Sequence, residues 1–130
     1  KFICIGTEMG VIYLLDHLGN VTRELRVHDL AINQLSIDGN GDHIASCFDD
    51  GRVLVTGLYN SIHNQDLKLK RRVRSVAIDP NYYKDGSGRK LIIGGRKMIL
   101  HEKIPFSRWK STVLEDATAE GGVKTIRWSP

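Results

Sequence analysis

Apolar residues along this chain come in short runs separated by Gly, Asn, Asp or Ser, and none recurs at helical spacing. Phe2–Ile5 is one such run, closed by Gly6-Thr7-Glu8-Met9-Gly10. Val11–Leu15 is almost wholly apolar, which predicts a strand covered on both faces. Val21–Val27 alternates instead. Val21, Arg23, Leu25 and Val27 fall on one side and Thr22, Glu24 and Arg26 on the other, the pattern of an outermost strand. The same grammar predicts strands over Ile32–Ile37, His43–Phe48, Arg52–Thr56 and Gln65–Leu69. It continues over Arg74–Ile78, Leu91–Ile93, Met98–His101 and Ser111–Glu115, and ends with Val123–Trp128. Asp38-Gly-Asn-Gly-Asp42 reads as a tight turn, and Asp49-Asp50-Gly51 as a hairpin turn of the Asp-Gly type. Twelve strands are expected.

These runs repeat. Ile32-Asn-Gln-Leu-Ser-Ile-Asp38 returns as Val73-Arg-Ser-Val-Ala-Ile-Asp79 and as Val123-Lys-Thr-Ile-Arg-Trp-Ser129. Gly10-Val-Ile-Tyr-Leu-Leu-Asp16 returns as Gly51-Arg-Val-Leu-Val-Thr-Gly57 and as Arg96-Lys-Met-Ile-Leu-His-Glu102. A period of roughly 40–45 residues filled with short strands is the signature of propeller blades. The expected fold is therefore all-β: consecutive four-stranded antiparallel blades forming part of a WD40-like β-propeller. The blades are expected over about 1–27, 30–70 and 73–115, with the next starting at 123–130. Three blades do not close a ring, because propellers need about four to eight. The chain also lacks an initial Met, so it reads as a fragment of one propeller in a longer protein. Val123–Trp128 could alternatively supply the strand that the first, three-stranded repeat lacks.

Composition adds little: 130 residues, 41% hydrophobic, 26% charged, net charge +4. No run is long enough for a membrane-spanning helix. Cys4 and Cys47 each lie inside an apolar run, with no Cys/His spacing for zinc, and read as buried thiols.

Charge is concentrated in Lys68-Leu-Lys-Arg-Arg-Val-Arg74, five basic residues in seven. In a propeller this is a crossover from one blade's outer strand to the next blade's inner strand. It shares a face with the turns between second and third strands. Arg71 and Arg72 are thus expected on one rim with Glu8, Asp49, Asp50, Arg96 and Lys97. Two readings fit: a patch for an acidic partner surface, an anionic membrane or nucleic acid, or a solvated loop whose charges keep strand edges soluble. No aromatic residues interleave the basic ones, so no nucleic acid is expected. Ile104-Pro-Phe-Ser-Arg-Trp109 falls on the opposite face. Phe106 and Trp109 are either interface anchors or, for Trp109, a cover for the blade's side.

Other motifs read as scaffold. Asp38–Asp42 mimics the start of a calcium loop but has His43 where Gly is needed and strands for flanks. Gly94-Gly95-Arg96-Lys97 lacks the spacing and following helix of a phosphate loop and reads as a hairpin. His28-Asp29 could hold the following inner strand by a polar bond. Asn33, Ser36, Ser75 and Thr125 are expected to face the central channel, and they include no acid, base or metal set. No catalytic residues, cofactor or metal are expected, and the chain reads as a non-enzyme.

The arrangement apolar strand, Asp-Asp-Gly, apolar strand resembles WD40 repeats, although no Trp-Asp ends a third strand and no Gly-His opens a blade. A more specific resemblance is carried by Gly10–Asn20, Ile32–Asp38, Asp50-Gly-Arg-Val53 with Gly57-Leu-Tyr59, Ile93–Lys97 and Arg108-Trp-Lys-Ser-Thr-Val-Leu114. These segments are similar to the amino-terminal propellers of the vacuolar protein sorting-associated protein 41 family, subunits of the HOPS tethering complex. The resemblance implies a cytoplasmic protein in peripheral contact with late endosomal and lysosomal or vacuolar membranes. It implies the other HOPS subunits, a Rab-family GTPase and the AP-3 adaptor as partners. The alternative is a generic WD40-like scaffold outside trafficking, such as a ubiquitin-ligase or chromatin platform.

Overall fold

A computed structural model describes residues 1–104, 108–116 and 123–129, and among them eleven strands form three antiparallel sheets. The first sheet is β1 (Ile3–Gly6), β2 (Val11–Leu15) and β3 (Val21–Arg26). The second is β4 (Gln34–Ile37), β5 (His43–Cys47), β6 (Arg52–Gly57) and β7 (Gln65–Lys68). The third is β8 (Val73–Ile78), β9 (Leu91–Gly95), β10 (Lys97–Lys103) and β11 (Trp109–Asp116). Each sheet meanders in sequence order, as short turns between antiparallel neighbours require. No helix occurs among the described residues.

The expected twelfth strand is not formed. Val123–Trp128 has no strand ladder, and it does not complete the first sheet. It lies against the third sheet, where Val123 N–H donates to the Gly95 carbonyl at 2.5 Å and Trp128 Nε1–H donates to the Ala77 carbonyl at 3.2 Å. Isolated bonds of this kind hold the segment at the blade's inner edge, but too few run in register to make a ladder.

The faces of the middle blade explain the core. Side chains alternate along a strand, so β5 sends Ala45 and Cys47 to one side and Ile44 to the other. Ala45, Cys47, Val53 and Val55 meet Val73, Val76, Ile78, Leu91 and Ile93 of the third blade, with Tyr82 closing the end. Ile44 and Leu58 meet Ile12 and Leu14 of the first blade. Every residue of β5 is consequently buried. Cys47 and the half-buried Cys4 are free thiols, pushed up to about 12 and about 11 by burial.

The inner strands are tied by side chains. β8 is the edge strand of its sheet, so alternate N–H groups along it have no ladder partner. Gln34 Oε1 accepts from Val76 N–H at 3.2 Å, Ser36 Oγ accepts from Ile78 N–H at 3.0 Å, and Asn33 Nδ2 donates to the Val73 carbonyl at 2.8 Å. For Ser36 and Ser75 the channel-facing expectation fails. Ser36 is bonded to the next blade, and Ser75 is fully buried with its hydroxyl donating to the Val123 carbonyl at 3.4 Å. Polar side chains on an inner strand satisfy the neighbouring backbone before they line a channel.

The Asp38–Asp42 turn is built around its first residue. Asp38 accepts from Asp42 N–H at 2.8 Å and His43 N–H at 3.1 Å, and its second oxygen lies 2.7 Å from His43 Nδ1. Asp38 and His43 are both buried, so the pair is a turn lock. Gly10 and Gly51, equivalent in the repeat, both adopt positive φ, 76° and 91°. At each, an added Cβ would strike a crossover carbonyl, that of His28 or of Leu69.

Replacing Gly51 with Val combines this collision with an unfavourable φ, and should remove about 2–3 kcal/mol of stability. A thermal melt of Gly51→Val against wild type reads the effect, and an unchanged midpoint would contradict the turn geometry.

Candidate contact site on the basic rim

The basic crossover is pinned by backbone before any charge acts. Leu69 N–H donates to the Gly51 carbonyl at 2.8 Å, and Val73 N–H to the Phe48 carbonyl at 3.3 Å. Strand β7 must end on the turn between β5 and β6 to reach β8, and this sets Lys68 through Arg72 beside Asp49 and Asp50.

Both carboxylates are then taken up locally. Asp49 Oδ1 accepts from Asn33 Nδ2 at 2.9 Å and lies 3.3 Å from Arg72 Nε. Asp50 Oδ2 is 2.8 Å from His28 Nε2 and 3.0 Å from Lys68 Nζ, while Oδ1 accepts from Arg52 N–H at 3.1 Å. Desolvation would raise the Asp50 carboxyl, but these partners outweigh it and hold the group well below the usual carboxylate range. His28 stacks edge-on against the buried Phe48, with ring centroids 4.7 Å apart. The His28–Asp50 bond thus ties the crossover entering this blade to its β5–β6 turn, where the sequence suggested a bond to the following inner strand. The Arg72–Asp49 pair is more than half exposed on both sides and contributes little to stability.

Of the remaining charges expected on this rim, Glu8 is exposed in the turn between β1 and β2, and the others are positive. Arg71 and Arg96 are exposed and form no ion pair among the described residues, and Lys97 stands next to Arg96 at the start of β10. Two further cations, Arg74 and Lys124, adjoin Arg72 and Asp49. The sequence reading missed them as site residues. Their signal was the repeat itself, since Asn33, Arg74 and Lys124 occupy its second position in three successive copies.

Phe106, expected with Trp109 opposite the rim, lies outside the described residues. Trp109 is half-buried and stacks on His101, with centroids 4.8 Å apart and planes 8° apart, and lies 6.3 Å from the Tyr82 ring. Burial lowers the His101 imidazole from its ordinary value, and Nδ1 lies 2.8 Å from Ser111 Oγ. The indole therefore covers the blade. Among the described residues, exposed apolar side chains on this face include Leu18 in the β2–β3 turn and Tyr59 and Ile62 in the loop after β6.

Among the described residues no three His, Cys, Asp or Glu side chains gather as a metal set, and no helix is long and apolar enough to cross a membrane.

The family model described as "Vps42 beta-propeller", for the propeller of Vps41, matches residues 1–130. The chain belongs to the Vps41 β-propeller family. Among the family's curated members, the vacuolar protein sorting-associated protein 41 homologs of Danio rerio and Homo sapiens are 37% and 35% identical over 98% of this chain. The Schizosaccharomyces pombe protein is 34% identical over 95% of it. The chain spans 14% of the length of each. Two solved propellers share the fold at low identity. The Cps50 (Swd1) β-propeller domain of Myceliophteria thermophila has a TM-score of 0.72 and 18% identity over 92% of this chain and 37% of its own. U3-55K has a TM-score of 0.72 and 12% identity over 97% and 38%.

Because the Asp50 carboxyl is depressed in the fold, its contribution is fully present above the unfolded value near about 4 and is lost as pH falls through the lower folded value. Asp50→Asn should lower the melting midpoint at neutral pH and flatten the acid side of the stability profile below about pH 4. Melts across an acid series check both signs. Trp109→Ala should cost about 2 kcal/mol through lost stacking and burial, visible in the same melts.

Proposed function

We propose that this chain is a rigid, non-catalytic contact element in vacuolar protein sorting, working within a membrane-tethering complex of the HOPS type. Its proposed contacts are the other subunits, a Rab-family GTPase and the AP-3 adaptor, on the cytoplasmic side of late endosomes and lysosomes or vacuoles. The names of the relatives support the sorting role. The observation that carries the contact reading is the imbalance along the basic rim. Asp49 and Asp50 are engaged by Asn33, Arg72, His28 and Lys68, so uncompensated charge is left on Arg71, whose backbone is fixed by the Leu69–Gly51 and Val73–Phe48 bonds, and on Arg96 between β9 and β10. A prearranged cationic surface suits an acidic partner surface, because complementary charge speeds encounter and orients docking. The commitment of Gln34, Ser36 and Ser75 to neighbouring backbone supports a structural use of the inner strands. The Cps50 (Swd1) and U3-55K propellers share the fold at 18% and 12% identity, which favours no scaffold role outside trafficking.

The test is charge reversal at the two exposed positions. Arg71→Glu with Arg96→Glu in the full-length protein should reduce co-precipitated tethering subunits and GTPase several-fold, most strongly at low salt, with an unchanged melt. Arg72 is left intact so that Asp49 keeps its partner. Recovery of the same partners in the same amounts would remove the rim from the reading.

A further inference from the structure

Asn33, Arg74 and Lys124 hold the same place in three copies of one motif, and the fold brings that place to one point. Asn33 lies just before β4, Arg74 is the second residue of β8, and Lys124 follows Val123, whose N–H is bonded to the Gly95 carbonyl. Together with Arg72 and Asp49 they line an open cleft of about 360 Å³ where consecutive inner segments adjoin, at the basic rim. Asn33 is fixed, its amide donating to Asp49 and to the Val73 carbonyl. Asp49 is held between Asn33 and Arg72. Arg74 and Lys124 form no ion pair among the described residues.

Three cations and one carboxylate leave two positive charges in the cleft. A carboxylate ligand would cancel half of that. A phosphate monoester, carrying between about −1.5 and −2 charges at neutral pH, matches it. Arginine offers paired N–H donors to phosphate oxygens, and Lys124 adds a mobile point charge. The depth of Arg74 selects the source. Arg74 is half-buried, set back from the exposed Arg72 and Lys124, so a phosphate carried on an extending side chain reaches it more readily than one held in the plane of a bilayer. We propose that this cleft binds a phosphorylated serine or threonine in an acidic segment of a protein partner, with Arg74 and Lys124 as the phosphate-binding residues and Arg72 as the third cation. The proposal rests on the rim being a contact surface. It adds that part of the contact is switched by phosphorylation of the partner.

The test uses the full-length protein and a fluorescein-labelled peptide, Gly-Asp-phosphoserine-Asp-Gly, read by anisotropy beside its unphosphorylated twin. Vesicles of phosphatidylcholine and phosphatidylserine in equal parts form a separate arm. The phosphopeptide should bind about tenfold tighter than its twin. Arg74→Gln with Lys124→Gln should erase that preference with an unchanged melt, and Lys110→Gln, an exposed cation on β11, should preserve it. Equal affinity for the two peptides overturns the proposal. So does a preference that survives the double substitution, one that Lys110→Gln reduces equally, or capture of vesicles with neither peptide bound. Should partner capture survive Arg71→Glu with Arg96→Glu, the rim reading falls while peptide selectivity stands or falls on its own measurement.

Discussion

The blades cohere because each inner strand finishes the hydrogen bonding of the next. Strand β8 has one flank without a ladder, and a buried N–H there would carry the full cost of desolvation, about 1–3 kcal/mol each. Gln34 and Ser36 remove that cost for Val76 and Ile78. The bonds are few, but they set the register of one blade against the next, and that register lets Ala45, Cys47, Val53 and Val55 interdigitate with Val73, Val76, Ile78, Leu91 and Ile93. Apolar burial supplies most of the stabilisation. The polar rungs decide which apolar residues meet.

The rim inherits its geometry from this arrangement. A crossover that must reach a fixed inner strand has little freedom, and the Leu69 and Val73 backbone bonds take what remains. Arg71, Arg72 and Arg74 therefore alternate across a rigid segment. Arg72 and Arg74 lean toward the inner strands with Asp49 and Lys124, while Arg71 is left at the surface. The acids of the β5–β6 turn serve the scaffold: Asp50 locks His28, and Asp49 orients Asn33.

Much of this could be read along the chain. The recurrence of Ile32–Asp38 at Val73 and of Gly10–Asp16 at Gly51 marks the inner and third strands, because a repeated unit must repeat its buried positions. Strand edges moved by a residue or two, as with β4, which begins at Gln34 after Asn33 turns aside to Asp49. The last segment misled. Val123–Trp128 carries the inner-strand motif but forms no ladder. Ser36 and Ser75 misled in another way, since a small polar residue looks the same whether it faces a channel or a neighbouring backbone. Trp109 was ambiguous for a related reason: an indole serves equally as an anchor or a lid, and only His101 beneath it decides. The cleft cations became visible when the fold set Arg74 and Lys124 beside Arg72.

Strand β5 is enclosed along its whole length, with Ile44 turned to one neighbouring blade and Ala45 and Cys47 to the other. A repeat sealed on both flanks cannot be excised or duplicated by itself without leaving mismatched surfaces where it stood. Growth or shrinkage of such an array must then proceed by units whose left and right faces already complement each other, which favours keeping a fixed repeat number while loops and rims diversify.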